Sequence, residues 1–245
     1  MDLLEGSAGA DPALDVALPH ALLGLVAEGR RGPALRSYRP HPTVAFGRRD
    51  TFLPGFERAV AAAREGAFAP VLRGAGGRAA AYDSGCLVFD KVMPAENTTA
   101  GTRTRFADEA ELQARALRGL GVDARVGQVP GEYCPGEFSV NARGKTKLVG
   151  AAQRIVRGGW LLSTVFVVES ESRIRAVLED IYAELGLEWD PATTGAVADE
   201  IPDVSVEEVR EAILAEYAEQ ATLTPRPLTA EELAAANELV ERYRV

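Results

Sequence analysis

The chain is poor in the residues most often used for nucleophilic and metal chemistry. Its 245 residues include two cysteines, Cys86 and Cys134, and two histidines, His20 and His41. Two thiols cannot make a disulfide framework, which fits a reducing compartment. A structural zinc site or a histidine-based triad would have to draw on one of two imidazoles, so neither is expected. No apolar run approaches the roughly 18 residues that a membrane helix requires, so no membrane span is expected. The N-terminus, Met1-Asp2-Leu3-Leu4-Glu5, lacks a basic leader, and the expectation is a cytoplasmic protein. Positive charge is also short: the net charge of −9 argues against nucleic acid as a partner, since that binding depends on neutralising phosphates.

Lysine is the scarcest cation. Of 27 basic residues only Lys91, Lys145 and Lys147 are lysine, and two of these fall in Gly144-Lys145-Thr146-Lys147-Leu148-Val149-Gly150. A lysine retained against such an arginine bias marks a place where a compact ammonium is needed and a planar fork would not serve.

What is abundant points to one α/β (α+β) domain, a single mixed β-sheet flanked by helices with a helical C-terminal end. Residues 12–29 read as a helix interrupted near Pro19, and 56–65, 106–120 and 173–185 as further helices. Short strands are expected at 35–39, 43–46 and 71–73, a strong apolar strand at 86–93, and further strands at 124–129, 138–142, 147–155 and 160–168. Ser205-Val206-Glu207-Glu208 and Thr229-Ala230-Glu231-Glu232 are capping boxes that open the last two helices. The division expected is a catalytic domain over 1–186 and a helical extension over 187–245 packed on it, with 187–204 as the loop between.

Three stretches can carry chemistry. Arg73-Gly74-Ala75-Gly76-Gly77-Arg78 is a glycine-rich turn with flanking cations, suited to an anion or a carbonyl oxygen. It is not a P-loop, because no Gly-Lys-Ser/Thr follows. Glu132-Tyr133-Cys134-Pro135-Gly136-Glu137 puts a cysteine in a Pro-Gly turn, where it is accessible and can act as a nucleophile if a cation lowers its pKa. Cys86 opens the apolar run Cys86-Leu87-Val88-Phe89 and reads as a packed thiol. Lys147 begins a strand whose Gly150, Ala151 and Ala152 leave room for a narrow alkyl chain.

The order Arg73-x-x-Gly76-Gly77, then Asp83 and Gly85, then Lys147-x-x-Gly150-x-x-Gln153-Arg154 resembles the lipoate-protein ligase, biotin ligase and octanoyltransferase superfamily. Tyr133-Cys134-Pro135-Gly136-Glu137-Phe138 looks like the Cys-Pro-Gly segment of its amidotransferase branch, which moves octanoyl groups from glycine cleavage H protein. The resemblance covers about residues 20–185. Tyr82 stands where many ligases have a histidine. The resemblance implies Cys134 as acyl-accepting nucleophile and Lys147 as the residue that contacts the acyl carbonyl or an adenylate phosphate. It implies a substrate site at Arg73, Gly76, Gly77, Asp83, Gly150 and Gln153, with the acyl chain in an apolar tunnel beside the glycines. The implied partners are lipoyl carrier proteins: glycine cleavage H protein and the acyltransferase subunits of 2-oxoacid dehydrogenases. No cofactor or metal is implied for a transferase. The competing readings are an ATP- and magnesium-dependent lipoate or octanoate ligase, and a non-catalytic acyl-carrier-binding protein.

Overall fold

The computed structural model describes residues 1–96, 101–169 and 171–245. The first half contains β1 (Asp2–Glu5), α1 (Pro12–Ala27), β2 (Ala34–Tyr38), β3 (Thr43–Phe46), α2 (Phe56–Glu65), β4 (Ala69–Leu72), β5 (Ala80–Tyr82), β6 (Cys86–Ala95) and α3 (Thr102–Gly119). The second half contains β7 (Ala124–Val126), β8 (Val140–Ala142), β9 (Thr146–Val156), β10 (Gly158–Val167), α4 (Glu171–Leu185), α5 (Val206–Ala218), β11 (Thr224–Pro225) and α6 (Ala230–Leu239).

A large mixed sheet, ordered β11-β1-β2-β6-β10-β9-β8-β7, is flanked by helices, as the strand and helix patterns imply. The expectation of a single sheet needs one correction: β4-β3-β5 form a second, three-stranded sheet. Pro40 and Pro42 lie between β2 and β3, and proline donates no ladder hydrogen bond, so the chain leaves one sheet before it enters the other.

Helix α1 also departs from expectation, because it runs unbroken through Pro19. A proline in a helix interior leaves the carbonyl four residues earlier without its donor. Here that carbonyl, Asp15 O, instead accepts from Arg36 Nη1 at 3.1 Å. A buried arginine on β2 thus replaces the helical hydrogen bond that Pro19 removes.

The core lies in three parts. One is packed between the small sheet, α2 and α4, and a second between the large sheet, α3 and α5. The third lies beneath α1 and α6, where Leu18 and Leu22 meet Val92 and Leu161. The capping boxes at Ser205 and Thr229 open α5 and α6 as the sequence indicates. Residues beyond 186 join the body through backbone pairing: β11 with β1, Thr194 with Lys147, and Arg244 with Val71.

Candidate functional site

The segment carrying Cys134 is a long loop, because β7 ends at Val126 and β8 begins at Val140, well inside the strands expected there. A buried carboxylate organises it. Glu132 accepts from Val129 N at 3.1 Å, Gly136 N at 2.9 Å and Ser139 Oγ at 2.6 Å. These bonds satisfy loop amides that would otherwise be left unpaired by a missing ladder. They also hold Cys134 at φ +40°, a left-handed conformation that costs a non-glycine residue about 1–3 kcal/mol. Tyr182 on α4 fixes the cysteine backbone: its hydroxyl accepts from Cys134 N at 2.8 Å and donates to Ala79 O at 3.0 Å.

Cys134 is half-buried. Its Sγ lies 3.1 Å from Arg73 Nη2 and 3.3 Å from the backbone N of Arg78. Burial works to raise the thiol pKa, but the Arg73 charge, the Lys147 charge and the two hydrogen bonds outweigh it, and the net shift is downward. Reciprocally, burial opposes the Arg73 charge, and Cys134, together with Tyr182 and Tyr82, more than offsets it. Cys86 is fully buried, and burial pushes its thiol up to about 12. The two cysteines are thus opposites in reactivity, in line with their sequence contexts.

Gly77 makes the Arg73–Cys134 contact possible. It sits at φ +110°, and a Cβ there would fall 2.2 Å from Arg73 Nη2 and 2.8 Å from Cys134 Sγ. Arg78 adds a second fixing point through its 3.1 Å ion pair with buried Asp50.

Lys147 lies on the other side of the loop. Its Nζ reaches Cys134 O at 2.8 Å, Tyr133 O at 3.1 Å and Glu132 Oε1 at 3.3 Å. An ammonium has three N–H donors, so all are engaged within the protein. Lys147 therefore braces the cysteine loop and supplies charge beside the thiol. Gly150 leaves space for its stem, since a Cβ there would lie 3.2 Å from Lys147 Cε.

Arg73, Gly76, Gly77, Cys134, Lys147, Gly150 and Gln153 all line one cavity of about 660 Å³, within the usual range for small-molecule sites. Asp83 does not line it. Its Oδ1 accepts from Gly85 N at 2.9 Å and its Oδ2 pairs with Arg173 at 3.0 Å, so it closes the turn before β6. The cavity wall is apolar at Val88 and Val165 but carries Asp15, Tyr38, Asp90 and Ser163 as well, so it is not the uniformly apolar tunnel expected. His20 also lines it. Burial, then the charge of Arg154, lowers its pKa to about 4, and its ring stacks on Tyr243 at 5.1 Å.

Sequence reasoning missed Glu132, Arg78, Tyr182 and His20. Glu132 and Arg78 flank the chosen motifs, and a carboxylate two residues before a loop cysteine was the available signal. Tyr182 had none, because its contact spans 48 residues.

This fold and site define an α/β protein that holds a thiol beside an arginine in the wall of a cavity. The Lipoyl protein ligase A/B catalytic domain profile matches residues 11–218, and the chain belongs to that family. An octanoyl-GcvH:protein N-octanoyltransferase of Geobacillus kaustophilus is 30% identical over 194 residues, covering 79% of this chain and 68% of that protein. One from Exiguobacterium sibiricum is 32% identical over 163 residues, covering 62% of this chain and 55% of that protein, so the chain spans between about half and two thirds of these relatives. A lipoyl-GcvH:protein N-lipoyltransferase of Listeria monocytogenes is 26% identical over 62% of this chain and 55% of that protein. Among solved structures, a putative lipoate protein ligase from T. acidophilum with bound lipoic acid shares the fold, with a TM-score of 0.77, 24% identity, and coverage of 98% of this chain and 94% of that one.

Proposed function

We propose that this chain is a cytoplasmic acyltransferase that moves an octanoyl or lipoyl group onto a lysine of lipoyl carrier proteins through a thioester on Cys134. The catalytic body is residues 1–186, with 187–245 as an extension packed on it. The carriers are glycine cleavage H protein and the acyltransferase subunits of 2-oxoacid dehydrogenases. The observation that carries the reading is the Cys134 Sγ held between the Arg73 guanidinium and the Arg78 amide in the cavity wall.

Against the effect of burial, the Arg73 and Lys147 charges and the Arg78 N–H lower the thiol pKa and so favour the thiolate, the form that acts as nucleophile. The thiolate attacks the acyl carbonyl of the donor amide, forming the S–C bond. Negative charge moves to the carbonyl oxygen, where Arg73 and the Arg78 N–H are placed to follow it from sulfur. The C–N bond then breaks and the departing amine takes up a proton. A lysine of the second carrier gives up a proton, attacks the thioester and releases the thiolate. The two proton movements cancel over the cycle. Lys147 keeps the loop in place and lends its charge, and Gly76, Gly150 and Gln153 contact the acyl chain.

Intact-protein mass spectrometry after incubation with octanoylated carrier, with and without ATP, tests this. The expected result is an octanoyl adduct on Cys134 without ATP, absent in Cys134→Ala. ATP-dependent acylation that survives Cys134→Ala would replace the transferase with an ATP- and magnesium-dependent ligase.

A further inference from the structure

The thiol and its cations account for one part of the cavity wall; another part is chemically different. Strands β2, β6, β10 and β9 lie side by side, and their register aligns side chains in cross-strand rows. Tyr38, Val88, Val165 and Gly150 form one row. Two residues along, about 7 Å away, Arg36, Asp90, Ser163 and Ala152 form the next. Beyond that, Ala34, Val92 and Leu161 are sealed by Leu18 and Leu22 of α1. The middle row is therefore polar and stands immediately before an apolar plug.

A cavity made only for hydrocarbon would not carry this row. Arg36 is fully buried and pairs with Asp15. Ser163 Oγ donates to Asp90 Oδ1 at 2.6 Å. Asp90 is 2% exposed, and its Oδ2, 3.5 Å from Arg36 Nη1, accepts no hydrogen bond from the described residues. Tyr38 and Tyr82, 5% and 7% exposed, line the same cavity, and neither hydroxyl is hydrogen-bonded to a described residue. Tyr38 stands one row from Asp90, and all three groups line the same cavity. Burial raises the pKa of both tyrosines; at Tyr38 the Asp90 charge adds to it, and at Tyr82 the Arg73 charge opposes it before Asp90 adds. Both hydroxyls open onto the cavity rather than lying sealed in the protein, so a ligand that fills this end has to meet them.

We propose that Tyr38 and Tyr82 form a subsite for a polarisable, hydrogen-bond-accepting chain terminus, so that a lipoyl group is preferred to an octanoyl group. The inference rests on the acyl-transfer reading above. The two groups share the same straight chain, and only the lipoyl group carries sulfurs at its far end. A methyl terminus would cover the hydroxyls without bonding to them. A dithiolane sulfur accepts weakly from a hydroxyl and packs favourably against an aromatic ring edge. Tyr38 and Tyr82 supply both contacts, and a preference on the order of tenfold follows from contacts of this kind.

The test compares lipoyl and octanoyl thioesters of N-acetylcysteamine as donors. The rate of adduct formation on Cys134 is followed by intact-protein mass spectrometry in the wild type and in Tyr38→Phe/Tyr82→Phe. The expected result is a lipoyl adduct formed about tenfold faster in the wild type, with a smaller ratio in the double variant, which loses both hydroxyls and keeps both rings. If the double variant does not fold, Tyr38→Phe alone serves, with a smaller fall. Equal rates in the wild type, faster octanoyl transfer, or a ratio unmoved by the substitutions would overturn the subsite. An adduct from neither donor would instead remove Cys134 as acyl acceptor, a separate and distinguishable failure.

Discussion

Substituting Gly77 by alanine places one methyl group between two site residues. The new Cβ would lie 2.2 Å from Arg73 Nη2, 3.1 Å from Arg73 Cζ and 2.8 Å from Cys134 Sγ. The guanidinium is the far end of a flexible side chain and can retreat, so the fold survives. The alanine at φ +110° adds backbone strain of about 1–3 kcal/mol. The chemical consequence is larger than the structural one. Arg73 contributes the strongest of the effects that lower the Cys134 pKa, and once it retreats, burial is opposed only by Lys147 and the Arg78 amide. Each tenfold fall in thiolate corresponds to about 1.4 kcal/mol of lost attraction, partly masked in rate because a more basic thiolate is a better nucleophile. The assay is the pH dependence of Cys134 alkylation by iodoacetamide. Wild type should react with a midpoint below that of a free thiol; Gly77→Ala should move the midpoint upward and slow alkylation at pH 7 on the order of tenfold. Gly76→Ala, whose Cβ meets nothing within 4 Å, should leave the midpoint in place. A folded Gly77→Ala protein with the wild-type alkylation profile would refute the claim that Arg73 holds the thiolate. The sequence places the acyl chain beside Gly77, but a side chain added there first meets Arg73 and Cys134.

Native protein should take up one alkyl group at neutral pH and a second only on denaturation, since Cys86 is buried with its thiol pushed up to about 12; fast double labelling would contradict the packing. Lys147→Met leaves buried Glu132 without its cation, and breaking such a pair costs about 3–5 kcal/mol, so a denaturant midpoint close to wild type would show that the ammonium is dispensable to the loop. Asp90 is raised to about 6 by burial, with Arg36 and Ser163 opposing, so its folded form binds a proton more tightly than the unfolded chain. The contribution is therefore fully present below the unfolded carboxylate pKa and is lost as pH rises through about 6. Asp90→Asn should flatten that part of the stability curve, measured by thermal unfolding across pH 4–7, and an unchanged slope would assign it to another group.

Local pattern was enough to locate most of the elements, because strand alternation, helix periodicity and capping boxes are written in neighbouring residues. It was misleading at α1, where Pro19 signals a break. The break is prevented by Arg36, a residue on another strand that restores a bond to Asp15 O. It also merged two sheets into one, since strand pairing is decided by partners that lie far apart in the chain.

The sequence by itself determined that a cysteine in a Pro-Gly loop, a glycine turn with cations and a rare lysine were the parts to consider, because each differs from its surroundings in composition. Only the tertiary structure decided what each part does. Arg73 reaches Cys134 from 61 residues away and lowers its pKa, through a gap that exists because Gly77 has no side chain. Lys147 spends its three donors on the loop, and Asp83, equally prominent in the motif, closes a turn outside the cavity. The polar row of Arg36, Asp90 and Ser163 becomes a single feature only when three strands align in register, and no local pattern encodes that alignment. Hydrogen bonds and ion pairs act over a few ångströms, whereas the residues that make them are separated by tens of positions, so the chemistry of this site is fixed by packing.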